Sequence, residues 1–434
     1  MIETKNINVK TTGSELYHLA GKLYPVCRSI TGNGVRETLR ELQEIIPLEI
    51  HEVPSGEKVF DWTVPNEWNI NDAYIKDPAG KKIVDFKKLN LHVLNYSVPV
   101  HKKLPLQELK KNLFTLPDQP DLVPYKTSYY KENWGFCLSH NQLVSLQEGE
   151  YEVFIDSTLA PGSLAYGEFY IKGRTEDEVL ITAHVCHPSL CNDNLSGIGV
   201  ASYLAQSLMD SNPRYSYRFL FIPGTIGSIT WLARNEDKTK NIKFGLVAAL
   251  LGGEGKFTYK KSRRGNADID RIVINELRNR KKDYGVIDFF PYGYDERQFC
   301  SPGFNLPVGS LTRTPHGEFP EYHTSADNLD FVTPEQLEES LEVYKSVIYA
   351  IENNRTYINL SPKCEPQLGK RGLYAPIGGD LNAQEFQIGL LWILNQSDGE
   401  HSLLDISERA NMDFALLKKG ADALVNANLL KEVK

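Results

Sequence analysis

The sequence predicts an α/β fold: a three-layer domain around a mixed, mostly parallel sheet, with an inserted β-rich domain and a C-terminal winged helix. Three observations carry that expectation. Short apolar runs alternate with helical segments from Tyr151 to Asn354. Between Val59 and Tyr151 the chain turns to short strand candidates, aromatic residues and frequent prolines. Beyond Pro366 three helical segments follow one another at helix-turn-helix spacing.

In chain order, Glu15 to about Ile46 has helical period, broken and restarted at Thr31-Gly-Asn-Gly34. Strand candidates Leu91–Tyr96 and Trp134–Leu138 follow, punctuated by Pro99, Pro105, Pro117, Pro120 and Pro124. Trp62, Trp68 and Trp134 serve either core packing or a carbohydrate-binding face. The α/β part then offers strands at Tyr151–Ile155, Glu168–Ile171, Val179–Ala183, Arg218–Ile222 and Phe244–Leu251. Helices are expected at Ser196–Ser211, Gly227–Asn235 and from Thr333 to Asn353. The domains are accordingly drawn at 1–58 with 152–360, at 59–151, and at 365–434. In the last of these, helices at Glu385–Asn395, Leu403–Ala410 and Asp413–Asn428 and a wing at Leu429–Val433 resemble a winged-helix domain.

Composition narrows the function classes. With 41% hydrophobic and 24% charged residues over 434, the chain reads as an ordinary globular protein with ample core. A net charge of −8 gives no support for a nucleic-acid or anionic-membrane partner. No apolar stretch approaches a membrane span. The start, Met1-Ile-Glu-Thr-Lys5, has no apolar leader, and the six scattered cysteines lack paired metal spacing, so reduced thiols in the cytoplasm are expected. From Asp380 to Lys434 there are nine Asp/Glu against five Lys/Arg, with Lys418 and Lys419 on the candidate recognition helix. That balance makes nucleic acid an unlike partner for the winged helix and favours a protein-docking or oligomerisation module.

The densest chemical signal is Thr182-Ala-His-Val-Cys-His-Pro-Ser-Leu-Cys-Asn-Asp-Asn-Leu-Ser-Gly197. A buried strand ends on His184, a polar loop presents Asp193, and small residues open a helix. An imidazole nitrogen and a carboxylate oxygen brought together in this way suit Zn²⁺ with a position left open for water. The plain alternatives are a hydrogen-bonded structural histidine and a turn-forming or capping aspartate. Two further segments supply the remaining donors. His323 follows the Pro/Gly-rich loop Thr314–Pro320, and Glu254 ends the apolar run that begins at Phe244. Donors at strand ends and adjoining loops match the place where α/β enzymes bind ligands.

His184, the Asn192-Asp-Asn-Leu-Ser-Gly197 loop, Gly227-Ser228 and Tyr322-His-Thr324 resemble the co-catalytic zinc aminopeptidases, a group that includes bacterial leucyl aminopeptidases and glutamate carboxypeptidases. More closely, the chain is similar to bacterial aminopeptidase-like proteins found with polysaccharide biosynthesis. Those carry the Cys-His-Pro-Ser loop, a Thr-Ile-Gly-Ser segment and an added winged helix. The resemblance implies a zinc-aminopeptidase-like domain with one or two Zn²⁺. Asp193 would be the shared ligand, His184 and His323 would each hold one side, and Glu254 would stand at a carboxylate position. Water activated by the metal would attack an amide, and a nearby carboxylate would take its proton.

Two departures from that pattern are plain. Cys186 replaces an aspartate two residues after the first histidine, and Gly224 stands where a glutamate is expected. Candidates for the missing base are Glu254, Glu296, Glu318 and Glu321. Asp295, His316, Tyr322 and the basic run containing Lys260, Arg263 and Arg264 are candidate substrate contacts, the run being otherwise a solvated turn. His187 is expected to be structural. Three functions compete on these grounds. They are a metal-dependent hydrolase of a small peptide, amide or amino-sugar substrate, a degenerate metal- or ligand-binding adaptor in polysaccharide biosynthesis, and a DNA-binding regulator. The inserted domain makes a homodimer the expected assembly.

Overall fold

The computed structural model describes residues 9–374 and 381–433, so the N-terminal pentapeptide and Asp380 invoked above lie outside it. Two compact units are present, Met1–Gly265 with Gly285–Leu341, and Asn266–Tyr284 with Glu342–Lys434.

The first unit is built on eight strands: β1 (Glu49–Pro54), β2 (Ser163–Ile171), β3 (Glu178–His184), β4 (Ser216–Ile222), β5 (Ile242–Ala248), β6 (Phe257–Lys260), β7 (Tyr284–Ile287) and β8 (Val308–Thr312). Their order across the sheet is β1-β2-β4-β3-β5-β8-β6-β7. The middle four, β4-β3-β5-β8, run parallel, and antiparallel pairs flank them. Every residue of β3 and of β4 is buried, which is why both read as unbroken apolar runs. The charges within them are paired: Arg218 on β4 bonds Glu178 at 2.7 and 2.8 Å and also Glu168, which accepts from Trp231 Nε1 at 3.0 Å. Helices α1 (Val9–Leu23), α2 (Asn33–Gln43), α3 (Gly197–Leu208) and α4 (Ile226–Arg234) belong to this unit. The C-terminal ends of β3 and β5 lie side by side, and the functional loops spring from there.

Within the same unit a second sheet joins Lys82–Asp85, Glu67–Lys76, Glu150–Ala160 and Val100–Pro105, all antiparallel. Ala73, Ile75, Val84, Phe136, Tyr151 and Val153 fill a core of its own. The strand expected at Tyr151–Ile155 therefore pairs with the β-rich segment and not with the α/β sheet. Its burial alternates residue by residue, the mark of a strand with one wet face. Leu91–Tyr96 forms a short helical turn, Asn90–His92, and irregular bridges instead of a strand. Leu91, Val93, Leu94 and Tyr96 are all buried, so no alternation holds that segment to a sheet. Trp134–Leu138 contracts to Phe136–Cys137.

The second unit carries helices Leu381–Gln396, Leu403–Ala410 and Phe414–Asn426 and a sheet of Asp398–Ser402, Thr356–Asn359 and Leu430–Glu432. Ser402 and Asp405 form a reciprocal cap, and Asn411 at φ 52° turns the chain between the last two helices. Helix Asp268–Asn279 joins this unit through Arg271 to Asp405 and Glu408, and through Asn275 to Ser407. Those partners are more than a hundred residues apart in sequence, so the block drawn at 365–434 missed the helix as well as the four-residue strand Thr356–Asn359. Among the described residues no helix is long and apolar enough to cross a membrane.

Candidate metal centre

β3 delivers His184, fully buried, to the C-terminal edge of the sheet. The loop that follows is clamped by its two asparagines. Asn192 accepts from the Gly252 amide at 2.9 Å and donates to Thr314 Oγ1 at 2.9 Å. Asn194 donates to the Ala248 carbonyl at 3.1 Å. Gly197 is required here, because a Cβ would stand 2.2 Å from that carbonyl. From the far side Asp327 accepts the amides of Asn192 and Asp193 at 2.6 and 2.9 Å. With its neighbours tied to backbone, Asp193 alone turns its carboxylate inward.

There it meets imidazoles. Oδ1 is 2.7 Å from His184 Nε2, Oδ2 is 3.0 Å from His323 Nε2, and His187 Nε2 stands 4.0 Å from Oδ2. Burial alone would raise the Asp193 pKa, but His187, His184 and His323 reverse this and hold the carboxyl well below its ordinary value. Burial likewise keeps the His187 pKa well below the usual imidazole value, against the pull of Asp193. His323 sits at φ 55°, its carbonyl accepting from the Tyr125 amide at 2.7 Å. The Tyr125 ring lies 5.1 Å from both His187 and His323, and Tyr322 stacks on His323 at 3.9 Å.

Tyr294 closes another wall. Its ring lies 3.9 Å from that of His184, and its hydroxyl is 3.1 Å from Cys186 Sγ. His316 stacks on Tyr294 at 5.7 Å and meets Tyr322 edge-on, with Nε2 buried and unpartnered among the described residues. Asp295 is fully buried, accepting from Ser228 Oγ at 2.7 Å, and burial pushes its pKa up to about 6.

The other expected residues are placed elsewhere. Glu296 is bound to Lys260 Nζ at 2.9 Å and accepts from the Tyr294 amide at 3.0 Å. Lys260 also lies over the Phe290 ring at 4.3 Å, so the pair braces the turn carrying Tyr294 and offers no free charge. Arg263 and Arg264 are exposed and hold Asn305 at 3.0 and 2.8 Å, the solvated-turn alternative. Glu254 and Glu318 are exposed, and Glu321 is half-buried two residues before His323. Glu254 is not in the group whose ligand atoms converge within 4.8 Å among the described residues. Of the tryptophans, Trp68 is core, donating to the Ser97 carbonyl at 2.8 Å, and Lys102 covers Trp134, whereas Trp62 is exposed. Tyr294, Tyr125 and Asp327 were not among the expected site residues, and His187, expected to be structural, stands beside Asp193. The spacing of His187, three residues past a candidate ligand and before Pro188, was the one available signal.

Imidazoles set around a buried carboxylate are the donor chemistry a zinc-type ion takes, and the residues present fit it. Among the described residues, His184, His187 and Asp193 bring their ligand atoms within 4.8 Å of one another.

Comparison with known proteins agrees with this architecture. A family model described as a domain of unknown function, DUF4910, matches residues 17–354, and a winged helix-turn-helix model matches residues 355–432. A Clostridium acetobutylicum protein named for polysaccharide biosynthesis and an aminopeptidase-like domain is 57% identical over 426 residues, 98% of each chain. A crystal structure of a protein from the same organism, named as a peptidase, is similar at TM-score 0.94 and 55% identity over 98% of each chain. A zinc aminopeptidase from Bacillus subtilis shares the fold at TM-score 0.57 and 13% identity, over 79% of this chain and 94% of its own. An M28 peptidase precursor from Shewanella amazonensis does so at TM-score 0.54 and 14% identity, over 80% and 97%.

Proposed function

The chain belongs to the DUF4910 family, in an aminopeptidase-like α/β fold followed by a winged helix, and from that footing we propose that it is a metal-dependent hydrolase of a small amide or peptide substrate. The observation that carries this is the buried Asp193 carboxylate with His184 on one oxygen and His323 on the other. Those three residues would hold the metal, Zn²⁺ by their chemistry, as one or two ions. A zinc ion in such a site supplies Lewis acidity toward water and toward an amide carbonyl.

The remaining roles fall to this chain's own groups. Glu296 is neutralised by Lys260 and Glu254 is exposed, so Glu321 is the carboxylate we assign to take the proton. His316 Nε2, buried and unpartnered, is assigned to a polar group of the substrate, and Tyr322 to its flank. A saccharide-linked or amino-sugar substrate is supported by the name of the 57% identical relative. It is also supported by an aromatic path: Trp62 and Tyr130, 43% and 59% exposed, lie 5.3 Å apart, and Tyr129 beside them bonds Tyr125 at 2.6 Å. All six cysteines are thiols, which supports a cytoplasmic setting.

An adaptor that binds metal without turnover is favoured by one observation, the absence of a carboxylate from Phe221 to Ser228. Elemental analysis of the wild type, His184→Ala and Asp193→Ala decides between them when combined with assays on aminoacyl and amidosugar substrates. Zinc at about one or two equivalents, lost in both variants and accompanied by hydrolysis, supports the hydrolase. Metal without hydrolysis favours the adaptor. A wild type that binds none, even when supplied, overturns both.

A further inference from the structure

The carboxylates that would complete the metal site in the zinc-aminopeptidase pattern are missing from this chain. Position 224 is glycine, β5 runs out through Ala248-Ala-Leu-Leu251, and Glu254 is exposed. Of the three donors named above, His184 and Asp193 belong to the group whose ligand atoms converge within 4.8 Å among the described residues and His323 does not, which leaves that group two where a catalytic zinc takes three from protein. We infer that His187 is the third ligand, forming with His184 and Asp193 a set for a single ion. This rests on the metal-dependent reading above and specifies its site.

His187 Nε2 faces Asp193 Oδ2 at 4.0 Å. That is too long for a hydrogen bond. It fits two donors sharing one ion, since donors each about 2.1 Å from zinc stand at most about 4.2 Å apart. The His184 and His187 rings lie 4.9 Å apart. Nε2 of His187 thus faces the carboxylate across a gap.

The surroundings hold that aim. Cys186 Sγ is 3.6 Å from Nδ1, the nitrogen turned away from Asp193, where a ligand histidine is commonly oriented by a partner. Cys186 thus stands beside His187, not in the His184-orienting role of the aspartate it replaces. Arg28, 1% exposed, donates Nε to the His187 carbonyl at 2.8 Å and Nη1 to the Leu23 carbonyl at 2.7 Å. Among the described residues this guanidinium forms no salt bridge with a carboxylate, and it holds the His187 carbonyl against that of Leu23. Ser189, at φ 43°, is tied to the Tyr24 carbonyl at 3.0 Å and receives Asn90 at 2.9 Å, so the turn beyond His187 is held as well.

The test is metal binding by the full chain. Zinc affinity of metal-stripped protein is measured by competition with a chromophoric chelator, and cobalt(II) absorption is recorded for the wild type, His187→Ala, His187→Gln and Cys186→Ser. Expected are one tight equivalent in the wild type and a loss of at least about 100-fold in both His187 variants with an altered cobalt spectrum. Cys186→Ser should lose about 10-fold. X-ray absorption of the zinc-loaded protein should count one imidazole fewer on the ion in His187→Gln than in the wild type. Wild-type affinity and spectrum in His187→Ala, or an unchanged imidazole count in His187→Gln, overturns the assignment while leaving the hydrolase reading intact. A wild type without metal overturns both.

Discussion

Gly224 and Tyr294 occupy one volume between them: a Cβ on Gly224 would stand 1.9 Å from Cε1 of the Tyr294 ring. The tyrosine fills the space of the side chain expected at 224 and spends its hydroxyl on Cys186 at 3.1 Å. Gly224→Ala should therefore destabilise the protein by about 1–3 kcal/mol through overpacking. Tyr294→Gly in the same chain should recover part of that loss. Urea denaturation of the two single variants and the double measures the coupling, and strictly additive effects would show that the two positions do not compete.

Glu296 and Lys260 form a buried pair at 2.9 Å. Removing either partner strands the other, at a cost of about 3 kcal/mol. Glu296→Gln and Lys260→Met should each lower the denaturation midpoint, and the double variant should lose less than their sum. A Glu296→Gln protein of unchanged stability but abolished turnover would instead make Glu296 the base.

In the second unit, burial raises Glu276 from 4.5 to about 7, helped by Asp413 and opposed by a Ser346 hydrogen bond. The folded state then keeps a proton that the unfolded state has released, so between those values the folded form binds more protons. Stability contributed by this group is full below pH 4.5, falls as pH rises, and is gone above about 7. Glu276→Gln should flatten the slope, worth roughly 3 kcal/mol across the window. Denaturation at three pH values checks this, and an equal slope in the variant would exclude Glu276 as its source.

The helix Phe414–Asn426 carries two lysines, and neither is free. Lys418 bonds Asp422 at 2.6 Å, and Lys419 lies over the Phe386 ring at 5.6 Å. Counterion release needs accessible cations, so the chain should show no retention on duplex DNA at about 50 mM salt. Retention that falls steeply as salt is raised would revive a DNA-binding role.

Much of the α/β unit was legible because its signals are local. A window of seven buried residues identifies β3, and it ends on His184 whatever the rest of the chain does. The Asn-Asp-Asn turn, the capped helices of the second unit and the small residues at Gly197 are likewise encoded within a few positions. Where the signal was local but ambiguous, at Tyr151–Ile155, the strand was found and its sheet was not. Pairing partners depend on layers that the window does not contain.

The sequence by itself determined the strand-loop-helix that presents His184 and Asp193, and the order of elements around it, since these follow from periodicity and turn chemistry. Tertiary structure alone decided what surrounds them. Asp327 reaches the Asp193 amide across 134 residues, and Tyr294 reaches Gly224 across 70, distances over which no residue pattern reports contact. Only packing could leave Glu254 exposed, neutralise Glu296 with Lys260 and set His187 opposite Asp193. A single polar side chain has many ways to be satisfied, and the neighbours that select one are supplied by the fold.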